Sequence, residues 1–259
     1  MKYLLIDSRG RIAGRVAHGH SVEPVLIGAL PPAAVPSTRV RVRPELLALR
    51  VDDASVSRLA DETDAQLVEP RWYADSPLLA RALALVRNRE RLRFDPTDGY
   101  PIDFDDAGVV GHGVNGPIFP RIDPAVIGLV ELVGESQILL ARNARRPQYY
   151  SLIAGYVEPG ESCEAAFIRE VGEETGRAIH RLSYQGSQPW PASGSLMVGF
   201  HAYTADVEPT RPTDGELSET VWLGAEDLSN RTVPLPPPGS IAYRLIDRWV
   251  RAQGGTLRD

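Results

Sequence analysis

The sequence predicts an α/β protein, an α/β/α sandwich preceded by a smaller α+β unit, and three observations lead there. A Pro/Gly turn at Pro159-Gly160 feeds a strongly acidic run of good helix formers that Gly176 closes. Apolar runs of strand type flank that run on both sides, at 126–132, 137–142, 196–205 and 220–223. Residues 241–252 then form an amphipathic helix, with Ile241, Leu245, Ile246 and Trp249 on one face. Strands surrounding helices in this order suggest helices on both faces of a sheet.

Length and composition narrow the class. At 259 residues the chain buries a full core and has room for more than one folding unit. A formal net charge of −6 argues against broad, sequence-independent binding to DNA or RNA, which depends on Lys and Arg neutralising phosphates. It leaves room for a local basic patch. No apolar run approaches a membrane span, and the opening Met1-Lys2-Tyr3-Leu4-Leu5-Ile6-Asp7 breaks too early for a signal peptide. The single cysteine, Cys163, excludes an internal disulfide and a Cys-rich zinc site. The expectation is a cytoplasmic protein without membrane partners.

The chain divides into three stretches. Residues 1–93 are expected to form an N-terminal α+β domain. Tyr3-Leu4-Leu5-Ile6-Asp7 and Ile12-Ala13-Gly14-Arg15-Val16 read as a hairpin around a turn. Val40 to Val42 and Leu46 to Val51 read as strands, and 77–92 as a helix with Ser76 as N-cap and Pro77 at N1. His18 and His20 form an HxH pair that reads as an exposed loop, because no third ligand is near. Residues 94–120 are polar and Gly-rich and read as a linker. Asp95, Asp98, Asp103, Asp105 and Asp106 lack regular Ca²⁺-loop spacing and read as a solvated acidic loop. Residues 121–259 form the third unit, in which 126–132 and 137–142 make a hairpin across Gly134-Glu135.

The chemistry concentrates between Gly155 and Gly176. With Ser162 as N-cap, Glu170, Glu173 and Glu174 fall at i, i+3 and i+4, on one helix face. Such carboxylates repel by a few tenths of a kcal/mol per exposed pair unless a cation sits among them. Hard oxygen ligands at this spacing suit Mg²⁺ or Mn²⁺, which keep other positions for water and substrate phosphates. Arg169 is placed to hold one carboxylate through its planar fork of donors. For an isolated EEE cluster the bland alternative, a solvated acidic face, is the commoner one.

The spacing tips the balance. Gly155, five residues, Glu161, seven residues, then Arg169-Glu170-Val171-Gly172-Glu173-Glu174-Thr175-Gly176 resembles the signature box of the Nudix hydrolases. Seven specified residue types coincide by chance about once in a hundred million start positions. Arg177 departs from the family pattern, which has an aliphatic residue there. A second motif, Ser187-Gln188-Pro189-Trp190-Pro191 followed by Ser195-Leu196-Met197, resembles the SQPWPFPxS motif of the NADH pyrophosphatase branch. Its prolines are expected to stiffen a loop on which Gln188 and Trp190 meet substrate. Ala192-Ser193-Gly194 stand where the branch has Phe-Pro-x. Phe119-Pro120-Arg121-Ile122-Asp123-Pro124 and Pro236-Pro237-Pro238-Gly239-Ser240-Ile241-Ala242 match the same branch. Relatives usually carry a four-cysteine zinc ribbon at 94–120; none of those cysteines is present, so no zinc is expected.

The resemblance implies the Nudix α/β/α sandwich with a mixed sheet, and hydrolysis of the diphosphate of NAD(H) to AMP and nicotinamide mononucleotide. The NAD-capped end of RNA carries the same diphosphate and is the one RNA substrate this implies. Catalysis would fall to Arg169, Glu170, Glu173 and Glu174. Glu170, Glu174, the carbonyl of Ala154 and a further carboxylate would hold Mg²⁺ or Mn²⁺; Glu216 is favoured over Glu219 for the last. Phe119 and Tyr156 match aromatics that stack on the base, from opposite subunits of a homodimer. Gln188, Pro189, Trp190, Pro191, Ser195 and Ala242 complete the expected substrate contacts. Two alternatives stay open: a Nudix hydrolase of ADP-ribose or diadenosine polyphosphates, and a nucleotide sensor without catalysis.

Overall fold

The computed structural model describes residues 1–17 and 21–257. His18 and His20 lie outside them. By internal contacts the chain forms two units, Met1–Ile122 with Pro189–Ser195, and Asp123–Gln188 with Leu196–Asp259.

In the first unit, β1 (Lys2–Ile6), β2 (Ile12–Val16), β3 (Val22–Pro24), β4 (Thr38–Arg43) and β5 (Leu46–Arg50) precede α1 (Asp53–Glu62), β6 (Gln66–Val68) and α2 (Pro77–Arg91). The turn after β1 is organised by the fully buried Asp7, whose carboxylate accepts the N–H groups of Arg9 and Arg11 and pairs with the Arg11 guanidinium at 2.6 Å. β1 and β2 do not pair as the expected hairpin. β1 runs parallel to β5 in a sheet ordered β1-β5-β4, whereas β2 sits between β3 and β6 in a second sheet. The turn is right and the ladder is not, because β1 finds its partner 44 residues on, at Lys2↔Leu46. Ser76 caps α2 as expected, and its Leu79, Leu83 and Val86 are buried with Val40 and Val42 of β4. α1, capped by Asp52, was not legible: its apolar stripe is only Val56, Leu59 and Ala60.

Residues 94–120 carry more order than a linker. β7 (Asp103–Phe104), β8 (Gly111–Gly113) and β9 (Gly116–Ile118) form an antiparallel meander. Asp95 is buried and accepts the N–H of Thr97. A Cβ on Gly113 would lie 2.0 Å from its carboxylate, so only glycine admits that contact.

The second unit is built on β10 (Asp123–Leu132), β11 (Gln137–Asn143), β12 (Arg146–Ser151), β13 (Ile153–Tyr156), α3 (Cys163–Thr175), β14 (His180–Trp190), β15 (Ser195–Thr204), β16 (Leu217–Gly224), α4 (Ala225–Ser229) and α5 (Ile241–Ala252). Its seven strands form one sheet ordered β12-β11-β10-β15-β14, with β13 also on β10 and β16 also on β11. Alternation along the strands assigns the two faces. Val126 and Val130 of β10 and Leu139 of β11 pack with Ala166, Phe167 and Val171 of α3. Their neighbours Ile127, Leu129, Ile138 and Leu140 pack with Leu245, Ile246 and Trp249 of α5. The sandwich expected from sequence is the one observed. Gly128, on the α3 side, is where the helix comes closest. A Cβ there would lie 2.5 Å from the Phe167 ring, which itself stacks on Phe200 at 5.6 Å. Gly128→Ala is therefore expected to destabilise the fold by about 1–3 kcal/mol through overpacking. Urea unfolding should show a lower midpoint at unchanged slope; an unshifted midpoint would contradict the packing described.

Candidate active site

α3 starts and stops where local rules require. Ser162 accepts the Ala165 N–H at 3.1 Å, and Gly176 adopts the left-handed conformation with φ 69°, its N–H returning to Gly172. Three carbonyls at this end of the helix also accept from the loop before β16. Thr210 donates to Gly176 at 2.9 Å, Asp214 to Glu173 at 2.9 Å, and the Arg211 guanidinium to Gly172 at 3.2 Å. A Cβ on Gly172 would overlap that guanidinium. This lapping brings Asp214 and Glu216 into the field of the helix carboxylates.

The carboxylates occupy different environments. Arg169 donates to Glu161, Glu170 and Glu173 at 2.8–3.0 Å and to the Tyr156 carbonyl at 2.9 Å, tying the 156–161 turn to the helix. Hydrogen bonding to Arg169 holds Glu161 below the usual carboxylate range. Glu170 lies flat against β13, and a Cβ on Gly155 would sit 2.0 Å from its carboxyl carbon. Burial pushes Glu170 up in spite of Arg169. Glu174 is 5% exposed. No cation pairs with it among the described residues, and burial, reinforced by Glu216, Glu170, Asp214 and Glu173, pushes its pKa up to about 8. Glu216 is held by Asn143 Nδ2 at 2.9 Å. Glu219 instead accepts the Tyr150 hydroxyl at 2.6 Å and pairs with Arg142 at 3.5 Å.

A profile of the NUDIX domain matches residues 123–249. The NAD-capped RNA hydrolase NudC of Mycobacterium bovis is 37% identical to the chain over 96% of this chain and 86% of its own length. Its namesake from Mycobacterium tuberculosis is 36% identical over the same shares. The chain belongs to the Nudix hydrolases, in the NADH pyrophosphatase branch. The Pseudomonas aeruginosa NudC is 42% identical over 53% of this Nudix hydrolase and 47% of its own chain.

The Nudix family needs a divalent ion, and the donor set fits one. Glu174 is buried with no cation paired to it among the described residues, Glu170 is half-buried, and all the candidate donors are hard oxygens. Among the described residues no three acidic or histidine side chains already converge on one point. Arg169 engages Glu161, Glu170 and Glu173 instead.

The remaining expected contacts of this Nudix hydrolase are distributed as follows. In the second unit, Ala154 and Tyr156 lie on β13, Tyr156 being 56% exposed, and Ala242 is buried in the first turn of α5. Gln188 is fully buried and turned inward: its Nε2 donates to Gly239 and its Oε1 accepts the Ile241 N–H, both at 2.7 Å. It pins the start of α5 rather than offering its amide outward. The motif expected as a loop is the end of the long strand β14, and Pro189 is tolerated because β14 is at the sheet edge. In the first unit, Phe119 is 67% exposed, Trp190 half-buried, and Ser195 buried with its hydroxyl 2.7 Å from that of Ser193. Arg177, the departure from the family pattern, is buried and donates to the carbonyls of Thr175, Asp206 and Val207.

Two outcomes follow. Gly155→Ala should displace Glu170 and lower kcat about a hundredfold, the usual consequence of a misplacement on the order of 1 Å; unchanged turnover would contradict the contact. Glu174 keeps its proton to about pH 8 when folded and loses it near 4.3 when unfolded. Stability of the ion-free protein should therefore fall as pH rises from about 5 to 8, by up to about 1.4 kcal/mol per pH unit. Urea unfolding in chelator should show this slope, and Glu174→Gln should flatten it; an identical slope in the variant would refute the assignment.

Proposed function

We propose that the chain hydrolyses the diphosphate of NAD(H) to AMP and nicotinamide mononucleotide, and acts likewise on the NAD-capped end of RNA, the substrate its relatives' names carry. The observation that carries the reading is the crowd of carboxylates on α3, with Glu174 buried, without a paired cation among the described residues, and in the field of Glu216 and Glu170.

Glu170, Glu174 and Glu216, with the Ala154 carbonyl, would hold Mg²⁺ or Mn²⁺. Glu216 takes this place over Glu219 because its charge acts on both Glu170 and Glu174, whereas Glu219 is occupied by Tyr150. The ion supplies charge neutralisation for the diphosphate and a lowered pKa for a bound water. The chain's own groups do the rest. Arg169 fixes Glu170 and Glu173 against rotation and anchors the 156–161 turn. Glu173, the exposed member of the three, pairs with Arg169 through Oε2 and would be a third ligand or a partner of the bound waters. Deprotonation of Glu174 makes the buried site strongly anionic, which favours a dication over bulk water. Trp190, Pro189, Pro191, Ser195 and Ala242 are proposed to meet the nucleotide, with Phe119 and Tyr156 stacking on the base in a homodimer. The exposure of both aromatics supports that role, and stacking of this kind contributes on the order of 1–3 kcal/mol per base. Gln188 acts by holding the 239–241 segment in place.

The test is product analysis. With Mg²⁺ or Mn²⁺ the protein should release nicotinamide mononucleotide from NADH and a 5′-monophosphate end from NAD-capped RNA, faster than it turns over ADP-ribose or diadenosine polyphosphates. Chelation should abolish turnover, and Glu174→Gln should lower kcat about a thousandfold, about 4 kcal/mol in the barrier. A preference for ADP-ribose would replace the substrate assignment. An active Glu174→Gln protein would overturn the mechanism.

A further inference from the structure

The residues between β14 and β15 form a tight turn that the first unit holds. Ser193 and Gly194 both donate their N–H groups to the Trp190 carbonyl, at 3.2 and 3.0 Å. Gly194 has a φ of 90°, in the left-handed region. No proline follows Pro191 in the turn, and its side chains at 192 and 193 are small. Such a turn has little stiffness of its own.

Two guanidinium groups from α2 supply it. Arg87 donates to the Pro191 carbonyl and Arg91 to the Ser193 carbonyl, each at 3.1 Å. Spaced i and i+4, the two side chains share one helix face, matching carbonyls two residues apart on the turn. Arg87 also donates to the Arg9 carbonyl at 3.3 Å, so the same side chain ties the turn to the buried Asp7 corner. The arrangement is electrostatically unfavourable for Arg87: burial first, and then the nearby Arg50 and Arg91, lower its pKa. Glu90, between them in sequence, is committed to Arg50 through both carboxylate oxygens, at 2.6 and 2.9 Å. A half-buried arginine kept against these costs, and spent on main-chain carbonyls of a distant hairpin, points to a need for that hairpin's shape.

We propose that Arg87 and Arg91 are positioning residues for substrate selection: they clamp the Pro191 and Ser193 carbonyls and so fix Trp190 in the conformation that meets the nucleotide. This gives the first unit a role in recognition. It rests on the reading that Trp190 contacts substrate, and it requires no contact of either arginine with substrate. Releasing the clamp lets the turn sample other shapes, so substrate binding weakens while the carboxylate chemistry is untouched.

The experiment is a double-mutant cycle read as KM and kcat. It uses the dinucleotide diphosphate that the wild-type protein turns over best, with Mn²⁺ at saturation. Arg91 is exposed, so Arg91→Met is expected to fold with a melting temperature near that of the wild type. It should raise KM about tenfold with kcat within about twofold. Arg87→Met should do the same where it folds. In a Trp190→Ala background, Arg91→Met should change KM less than about twofold, because the ring it positions is gone. A wild-type KM in Arg91→Met overturns the proposal, as do equal KM effects in both backgrounds or a loss confined to kcat. An unchanged KM in Trp190→Ala alone also overturns it, while leaving diphosphate hydrolysis standing. Failure to cut any dinucleotide diphosphate would count against the function itself, a separate result.

Discussion

The constraint on which the site depends is the repulsion among carboxylates gathered at the C-terminal half of α3. Glu170 and Glu174 are both driven up by burial, and Asp214 and Glu216 add to the field on Glu174. Burying an uncompensated carboxylate is costly, and proteins normally avoid it by pairing or by protonation. The fold takes the second course at Glu174, which keeps its proton to about pH 8. It brings a loop across the end of the helix, bonded to Gly172, Glu173 and Gly176, and the carboxylates accumulate. Stability is given up locally, and the hard oxygen donors gathered there fit a divalent ion.

The backbone makes that accumulation feasible through close approaches that a side chain would block. Glu170 reaches β13 because Gly155 has no Cβ, and Arg211 crosses α3 because Gly172 has none. Arg169 then serves as the internal cation, spread over three carboxylates and one carbonyl, and Glu174 is left without a paired cation among the described residues. The signature box is thus a packing solution as much as a ligand set. Its glycines and its arginine are needed to hold the glutamates where they are.

Local chemistry made the helix, its Ser162 and Gly176 caps and the Glu170-Glu173-Glu174 face legible in the sequence, since these depend on neighbours within four residues. The apolar face of α5 was legible for the same reason. What escaped depends on distant partners. β1 pairs with β5 rather than β2, and Gln188 turns inward because Gly239 and Ile241 wait 51 and 53 residues away. The 94–120 meander has strands of two or three residues, too short for any periodicity to register, and draws its order from Asp95 and the close contact at Gly113. Arg177 breaks the box pattern, and its tolerance became visible only with the carbonyls of Asp206 and Val207 around it and Trp222 at 5.5 Å. The partners that hold Glu216 and Glu219, Asn143 and Tyr150, are likewise distant in sequence.

Two units thus contribute different things. The second carries the acidic centre on a sheet covered by helices on both faces, and the first grips the turn that bears Trp190. The central claim is that Glu174 is held neutral by its surroundings until a divalent ion arrives, and proton release on binding tests it most directly. Titration of the ion-free protein with Mn²⁺ in buffers of different ionisation enthalpy should show close to one proton released per site at pH 7, and much less at pH 9. Glu174→Gln should release none. Binding of Mn²⁺ with no proton release at pH 7, or with the same release in the variant, would contradict the account.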